Sequence, residues 1–204
     1  MFFRRFRKGD AAGNLFRADT GPYVYRGDYS FPRRVKTITG GMNMQAYPSD
    51  KIRNVALIGH GGCGKTSLME LALFETGVIT RAGTIEDGNT VSDYDKMEIE
   101  KGHSINMSII PIEYKDVKIN FIDTPGLLDF SHEMYTAIQA AAAALLIVDA
   151  GSGIQVGTEK AWNFCKELKK PTFIMIKRKD KDTYDFDELV QSIRDKFGAV
   201  CVPA

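Results

Sequence analysis

Gly59-His60-Gly61-Gly62-Cys63-Gly64-Lys65-Thr66 reads G-x-x-x-x-G-K-T, and its flanks decide the fold. Ahead of it, Asn54-Val55-Ala56-Leu57-Ile58 is a short apolar run that suits a buried strand. Behind it, Ser67 to Glu75 suits a helix. Strand, glycine loop and helix together make a phosphate-binding loop. Gly59, Gly61, Gly62 and Gly64 let the backbone approach a ligand closely and turn N–H groups inward. The helix adds its positive N-terminal end. Lys65 is placed to reach β and γ phosphates, and the Thr66 hydroxyl to ligate Mg²⁺. His60, Cys63 and Ser67 complete the stretch expected to line a nucleotide.

The chain has 204 residues, 44% hydrophobic and 26% charged, enough for one well-buried domain with an appendage. No apolar run approaches the roughly 20 residues of a membrane span. Cys63, Cys165 and Cys201 form no C-x-x-C and no zinc spacing, so they read as reduced cysteines of a cytoplasmic protein. The net charge of +1 conceals an asymmetry. Residues 1–41 carry nine Arg/Lys against three Asp, a net of +6, which leaves −5 for residues 42–204. The expected organisation is therefore a basic, flexible extension over 1–41 and a nucleotide-binding domain over 42–204. The extension has no apolar signal core, and Gly21-Pro22 and Phe31-Pro32 break any long amphipathic helix. An arm that touches RNA, or a natural start at Met42 or Met44, are alternative readings.

Beyond the first helix, Thr80 to Lys101 is polar, rich in acids (Glu86, Asp87, Asp93, Asp95, Glu98) and without apolar periodicity. Beside a phosphate site it reads as a long loop that orders on nucleotide binding. Ile105–Lys115 and Val117–Ile122 read as an antiparallel hairpin. The second run ends in Asp123-Thr124-Pro125-Gly126, an acid and a tight turn at the strand's carboxyl end, where ligands bind in α/β sheets. Asp123 can hold the Mg²⁺ shell, and the Gly126 N–H can approach the γ phosphate. Ser131 to Ala142 reads as a helix capped by Ser131, Ala143 to Asp149 as a strand, and Thr158 to Leu168 as a helix. Trp162 lies off that helix's apolar stripe and suits an edge or a missing partner. Pro171 to Ile176 is the next strand, Asp185 caps a further helix, and Ala199 to Val202 begins another strand. The fold class is α/β: a P-loop NTPase with a mostly parallel, doubly wound sheet and one antiparallel hairpin strand.

Asp87-Gly88-Asn89-Thr90-Val91-Ser92-Asp93, Asp123-Thr124-Pro125-Gly126 and Val148-Asp149-Ala150-Gly151-Ser152-Gly153-Ile154-Gln155 together resemble the GTPase domain of translational GTPases of the elongation factor G type. The resemblance spans about residues 52–198. Gly62, where ordinary elongation factors carry Asp, is similar to the elongation factor G-like branch. The resemblance implies GTP and GDP with Mg²⁺ as ligands and the ribosome as partner. It implies no membrane and no direct DNA contact, and a monomer for the intact factor. Ser104 takes the place of the threonine that ligates Mg²⁺ and senses the γ phosphate. Arg178 and Asp180 take base-reading positions, with Asp180 accepting from the guanine edge.

Two positions depart from the family's pattern. Leu127 follows Asp-Thr-Pro-Gly where mainstream members have the histidine that orients the attacking water, and leucine neither donates nor accepts. Lys177-Arg178-Lys179-Asp180 stands for N-K-x-D, so Lys177 replaces the asparagine that ties the phosphate loop to this motif. The chain also ends before the family's remaining sequence and reads as a fragment. The function expected is a GTP-binding domain of an elongation factor G-like translation factor that hydrolyses GTP on the ribosome, with Lys65 and Gly126 acting in catalysis. The alternative is a truncated or degenerate nucleotide-binding module with little or no turnover. An ATP-using P-loop enzyme is a third reading, opposed by Asp180 and the long loop.

Overall fold

The structure, a computed structural model, describes residues 14–17, 23–26, 47–92, 95–177, 185–198 and 201. Seven strands form one sheet in the order β1-β2-β7-β6-β3-β5-β4. They are β1 (Asn14–Arg17), β2 (Tyr23–Arg26), β3 (Ile52–Gly59), β4 (Ser108–Tyr114), β5 (Val117–Asp123), β6 (Ala143–Asp149) and β7 (Thr172–Lys177). The helices are α1 (Lys65–Glu75), α2 (Lys96–Lys101), α3 (Ser131–Ala140), α4 (Val156–Glu167) and α5 (Phe186–Phe197).

The parallel centre is β5, β3, β6 and β7. β3 lies between β5 and β6, so the chain reverses its direction of travel across the sheet beside β3. Such a switch point leaves a crevice at the carboxyl ends of the strands. β4 and β5 pair antiparallel as the sequence predicts. Lys115 and Asp116 turn the chain with φ of 47° and 61°, as a two-residue hairpin turn that follows strand twist requires. At the other edge β1 pairs antiparallel with β2, and β2 runs parallel to β7. A second antiparallel pair therefore joins the one expected.

Alternation along the strands sorts the core into two layers. Ala56, Ile58, Leu146, Val148, Ile174 and Ile176 face α3, α4 and α5. Leu57, Ile147 and Met175 face α1, which meets them with Leu68, Met69, Ala72 and Leu73. Helices on both faces make the sheet doubly wound, as expected.

Some local expectations need correction. Ser131 does not cap α3, because the turn Leu128–Phe130 runs straight into the helix and Phe130 holds the cap position. The Ser131 hydroxyl instead accepts from Lys160 Nζ at 2.8 Å. The polar stretch 80–101 is not all loop. Asp95 and Glu98 form a capping box, which starts the six-residue helix α2. Trp162 has its partner within the chain: its ring stacks on Phe197 of α5 at 4.6 Å. Asp185 caps α5 as expected, accepting from the Asp187 and Glu188 N–H groups. Of the strand expected over 199–202 only Cys201 is described; it is buried, with its N–H on the Gly198 carbonyl at 3.1 Å.

Two buried glutamates fix the segment between α1 and β4. Glu70, on α1, accepts from Gly83 N–H at 2.8 Å and Val91 N–H at 2.6 Å. Glu98 accepts from Ile105 and Asn106 N–H at 2.9 and 3.0 Å. A carboxylate taking two backbone N–H bonds satisfies donors that would otherwise be stranded. The sequence suggested a segment waiting for a ligand to order it. These bonds tie Gly83 and Val91 to α1, and Ile105 and Asn106 to Glu98. Glu70→Gln keeps the shape but puts an N–H₂ group against one backbone N–H. The expected result is about 10- to 100-fold faster amide exchange at Gly83 or Val91, equivalent to about 1.5–3 kcal/mol, with Leu73 in α1 unchanged. Unchanged exchange at both amides would show that Glu70 does not hold the segment.

Candidate functional site

The carboxyl ends of β3, β5, β6 and β7 bring together the phosphate loop, Asp123, Gly126 and Lys177. The apolar run of β3 drives the strand through the middle of the sheet and delivers Gly59 at its end. Gly59 has φ +144° and Gly64 has φ +93°, so the loop bends through conformations that favour glycine. Gly64 caps α1, and Lys65 and Thr66 form its first turn. Free N–H groups at that end point into the crevice.

Lys65 is buried, and its ammonium curls back over the loop. It donates to the carbonyls of Gly59 at 3.2 Å and His60 at 3.0 Å, and lies 3.9 Å from Cys63 Sγ. Thr66 Oγ1 donates to Asp123 Oδ2 at 3.0 Å, joining the first turn of α1 to the end of β5. Both residues are buried. Thr124 donates to the Leu57 carbonyl at 2.6 Å and fastens the turn after β5 to β3. Gly126 then lies against the phosphate loop. A Cβ there would come within 2.6 Å of Gly61 Cα and N and 2.5 Å of Lys65 Nζ. Leu127 also leans on the loop, with Cδ2 at 3.4 Å from a Cβ built on Gly61. Leu127, the residue after Asp-Thr-Pro-Gly, thus packs as an apolar side chain beside Gly61.

His60 points away from the crevice. Its Nδ1 accepts from the Gly157 N–H at 3.3 Å, at the start of α4. Asp149 shapes the turn after β6 by accepting from Gly151 and Ser152 N–H at 2.9 and 3.3 Å. Ala150 N–H bonds the Lys177 carbonyl at 2.7 Å, which sets the end of β7 level with that turn. Ser67 is exposed on α1. Ser104 is half-buried just before Ile105, whose N–H Glu98 holds. Arg178 and Asp180 lie outside the described residues.

The three cysteines are buried. Burial pushes the Cys165 thiol up to about 11 and lifts Cys63 as well, so neither is a ready thiolate nucleophile. Among the described residues no group of three His, Cys, Asp or Glu side chains could hold a metal ion unaided. Thr66 and Asp123 nevertheless offer two hard oxygens side by side. That suits Mg²⁺, which takes one or two protein oxygens and completes its shell with phosphate and water.

Sequence reasoning missed the roles of Glu70, which falls in the predicted first helix, and of Glu98, which reads as one acid of a long polar loop. The Asp95-x-x-Glu98 spacing was the available signal for Glu98, because it is a capping box. It also missed the His60–Gly157 bond, which spans 97 positions of sequence.

Residues 50–202 match the family described as the elongation factor Tu GTP binding domain. An elongation factor G-like protein of Thermotoga maritima is 35% identical over 152 residues, 74% of this chain and 22% of that protein. The mitochondrial ribosome-releasing factor 2 of Debaryomyces hansenii is 35% identical over 153 residues, 75% of this chain and 18% of that protein. A crystal structure from Thermus thermophilus superposes with a TM-score of 0.70 at 36% identity, covering 72% of this chain and 22% of that one. The chain spans about a fifth of the length of these relatives. With three quarters of its residues matched and the phosphate loop and the Asp123 turn in place, the chain belongs to the elongation factor Tu-type GTP-binding domain family.

Proposed function

We propose that the chain binds GTP and GDP with Mg²⁺ and hydrolyses GTP slowly by itself, as the nucleotide domain of a translation factor whose partner is the ribosome. The observation that carries this reading is the buried Thr66–Asp123 pair set beside Gly126 and Lys65. It puts the metal-holding oxygens and the phosphate-holding groups on one crevice wall. Gly59, Gly61, Gly62 and Gly64 let backbone N–H groups cradle the phosphates, and Lys65 moves from the Gly59 and His60 carbonyls to the phosphate oxygens. Thr66 and Asp123 would hold Mg²⁺, and Ser104 would add a third oxygen, its hydroxyl, with the γ phosphate bound. Bound Mg²⁺ would offset charge on the terminal phosphates. Gly126 N–H addresses the γ phosphate, and its approach to Gly61 leaves no room for a side chain. Asp180, aided by Arg178, reads guanine. The ribosome-directed role is supported by what the relatives are called. A monomeric, cytoplasmic factor belongs to the same reading. Among the described residues no helix is long and apolar enough to cross a membrane.

A second reading, binding without turnover, is favoured by Leu127. Its side chain covers Gly61 and offers the attacking water no hydrogen bond.

Fluorescent GDP and ADP analogues with Mg²⁺ distinguish these from a generic P-loop protein. GDP is expected to bind at least about tenfold tighter than ADP, the worth of one charge-assisted bond. Equal binding would remove the guanine reading. Hydrolysis of GTP with and without ribosomes then separates turnover from an idle switch.

A further inference from the structure

Lys177 closes β7 at the carboxyl end of the sheet. Its side chain crosses to the N-terminal end of α1. A Cβ built on Gly64 would meet Lys177 Cδ and Cε at 2.8 Å each and collide with Nζ. Gly64 is the residue that caps α1, where the free N–H groups converge. An asparagine at this position reaches only as far as Lys177 Cδ, so Cε and the ammonium at Nζ are what the lysine adds at Gly64.

Lys65 Nζ has two carbonyls. Among the described residues Lys177 Nζ has no hydrogen-bond or ion-pair partner, although the residue is half-buried. A cation drawn out of water against a helix N-terminus is unfavourable alone and favourable once an anion sits between them. Cys63 lies between the two lysines. Burial lifts its thiol, and the Lys65 and Lys177 charges, both near enough to act, pull it back. One ammonium thus stands at the start of the loop and one at its end.

We infer that Lys177 is a second phosphate-contacting lysine of the nucleotide site, so that the first residue of Lys177-Arg178-Lys179-Asp180 works on the diphosphate. The inference rests on the nucleotide-binding reading above. It makes the ligand a polyphosphate gripped by two lysines, with base choice left to Asp180 and its neighbours.

The test uses the full chain and two probes: GDP, and inorganic pyrophosphate as a competitor of fluorescent GDP. Lys177→Met is expected to weaken both by the same factor, about 10- to 100-fold, because one charge-assisted contact to phosphate is lost from each. The wild-type fall in affinity with rising salt should become shallower. Lys177→Arg is expected to bind within a few-fold of wild type, and the Tm of Lys177→Met should match wild type, which separates a lost contact from a damaged fold. Three results overturn the inference: GDP weakened with pyrophosphate unchanged, GDP binding unaltered, or GDP bound more tightly by Lys177→Met. The last would make Lys177 a plug in the crevice. Failure of the wild-type chain to bind GDP removes the parent reading and this one with it, whereas full binding by Lys177→Met removes this one alone.

Discussion

Gly59→Ala is expected to lower the free energy of unfolding by about 2–6 kcal/mol, from backbone strain and overpacking of about 1–3 kcal/mol each. Gly59 ends β3 with φ +144°, where an L side chain is strained. The added Cβ would sit 2.6 Å from the Ile147 carbonyl oxygen and 2.9 Å from Cys63 Sγ. The sulfur could shift. The carbonyl could not, because Gly59 and Ile147 are register partners in the parallel pair β3–β6 at the centre of the sheet. Relieving the clash means parting the two strands that carry the site. Gly62→Ala is the control: φ is +74°, but nothing lies within 4 Å of the new Cβ. Only the left-handed backbone is penalised there, at about 1–2 kcal/mol. Urea unfolding of both variants checks the contrast. A loss under about 1 kcal/mol at Gly59, or equal losses at the two positions, would contradict the packing described.

Lys65→Met is expected to weaken GDP binding at least about 100-fold while leaving the fold in place. The lysine stem is buried, and methionine replaces most of it. What goes is the ammonium. In the free chain that loss strips two partners from the Gly59 and His60 carbonyls. In the complex it removes bonds to phosphate oxygens, each worth about 1.5–3 kcal/mol. Two such bonds exceed the free energy of a hundredfold, about 2.8 kcal/mol. Titration with fluorescent GDP, beside a thermal melt of the variant, reads both effects. Binding within threefold of wild type would falsify the placement of Lys65 on the phosphates.

The parts of the site that sequence reveals are those whose chemistry is local. The loop from Gly59 to Thr66 declares itself because strand, turn and helix follow one another without interruption. Asp123 is legible for the same reason, an acid where an apolar strand meets Pro-Gly. The hairpin is legible because Lys115 and Asp116 separate two strand-like runs. What escapes is set by distance along the chain. Trp162 looked unpartnered because Phe197 lies on another helix. Ser131 looked like a cap because its spacing suits one, yet the preceding turn already supplies the helix start and the hydroxyl serves Lys160. Glu70 falls within the predicted first helix, and only the folded chain shows two backbone N–H groups brought to it. Lys177 was visible as a substitution, but the path of its side chain to Gly64 was not.

The placement of β3 also sets a timetable for synthesis. β3 is made before either of its sheet neighbours: β5 arrives after α1, α2 and β4, and β6 only after α3. A chain growing at about 5–20 residues per second therefore carries its glycine loop for seconds on a strand with a bare edge from Val55 to Gly59. The Ile147 carbonyl that later hems in Gly59 does not yet exist, and neither does the Lys177 ammonium. In that interval the loop has its residues but not its shape, and the open apolar edge invites pairing with other nascent chains. The earliest part of the loop to be translated is thus among the last to be packed on both sides.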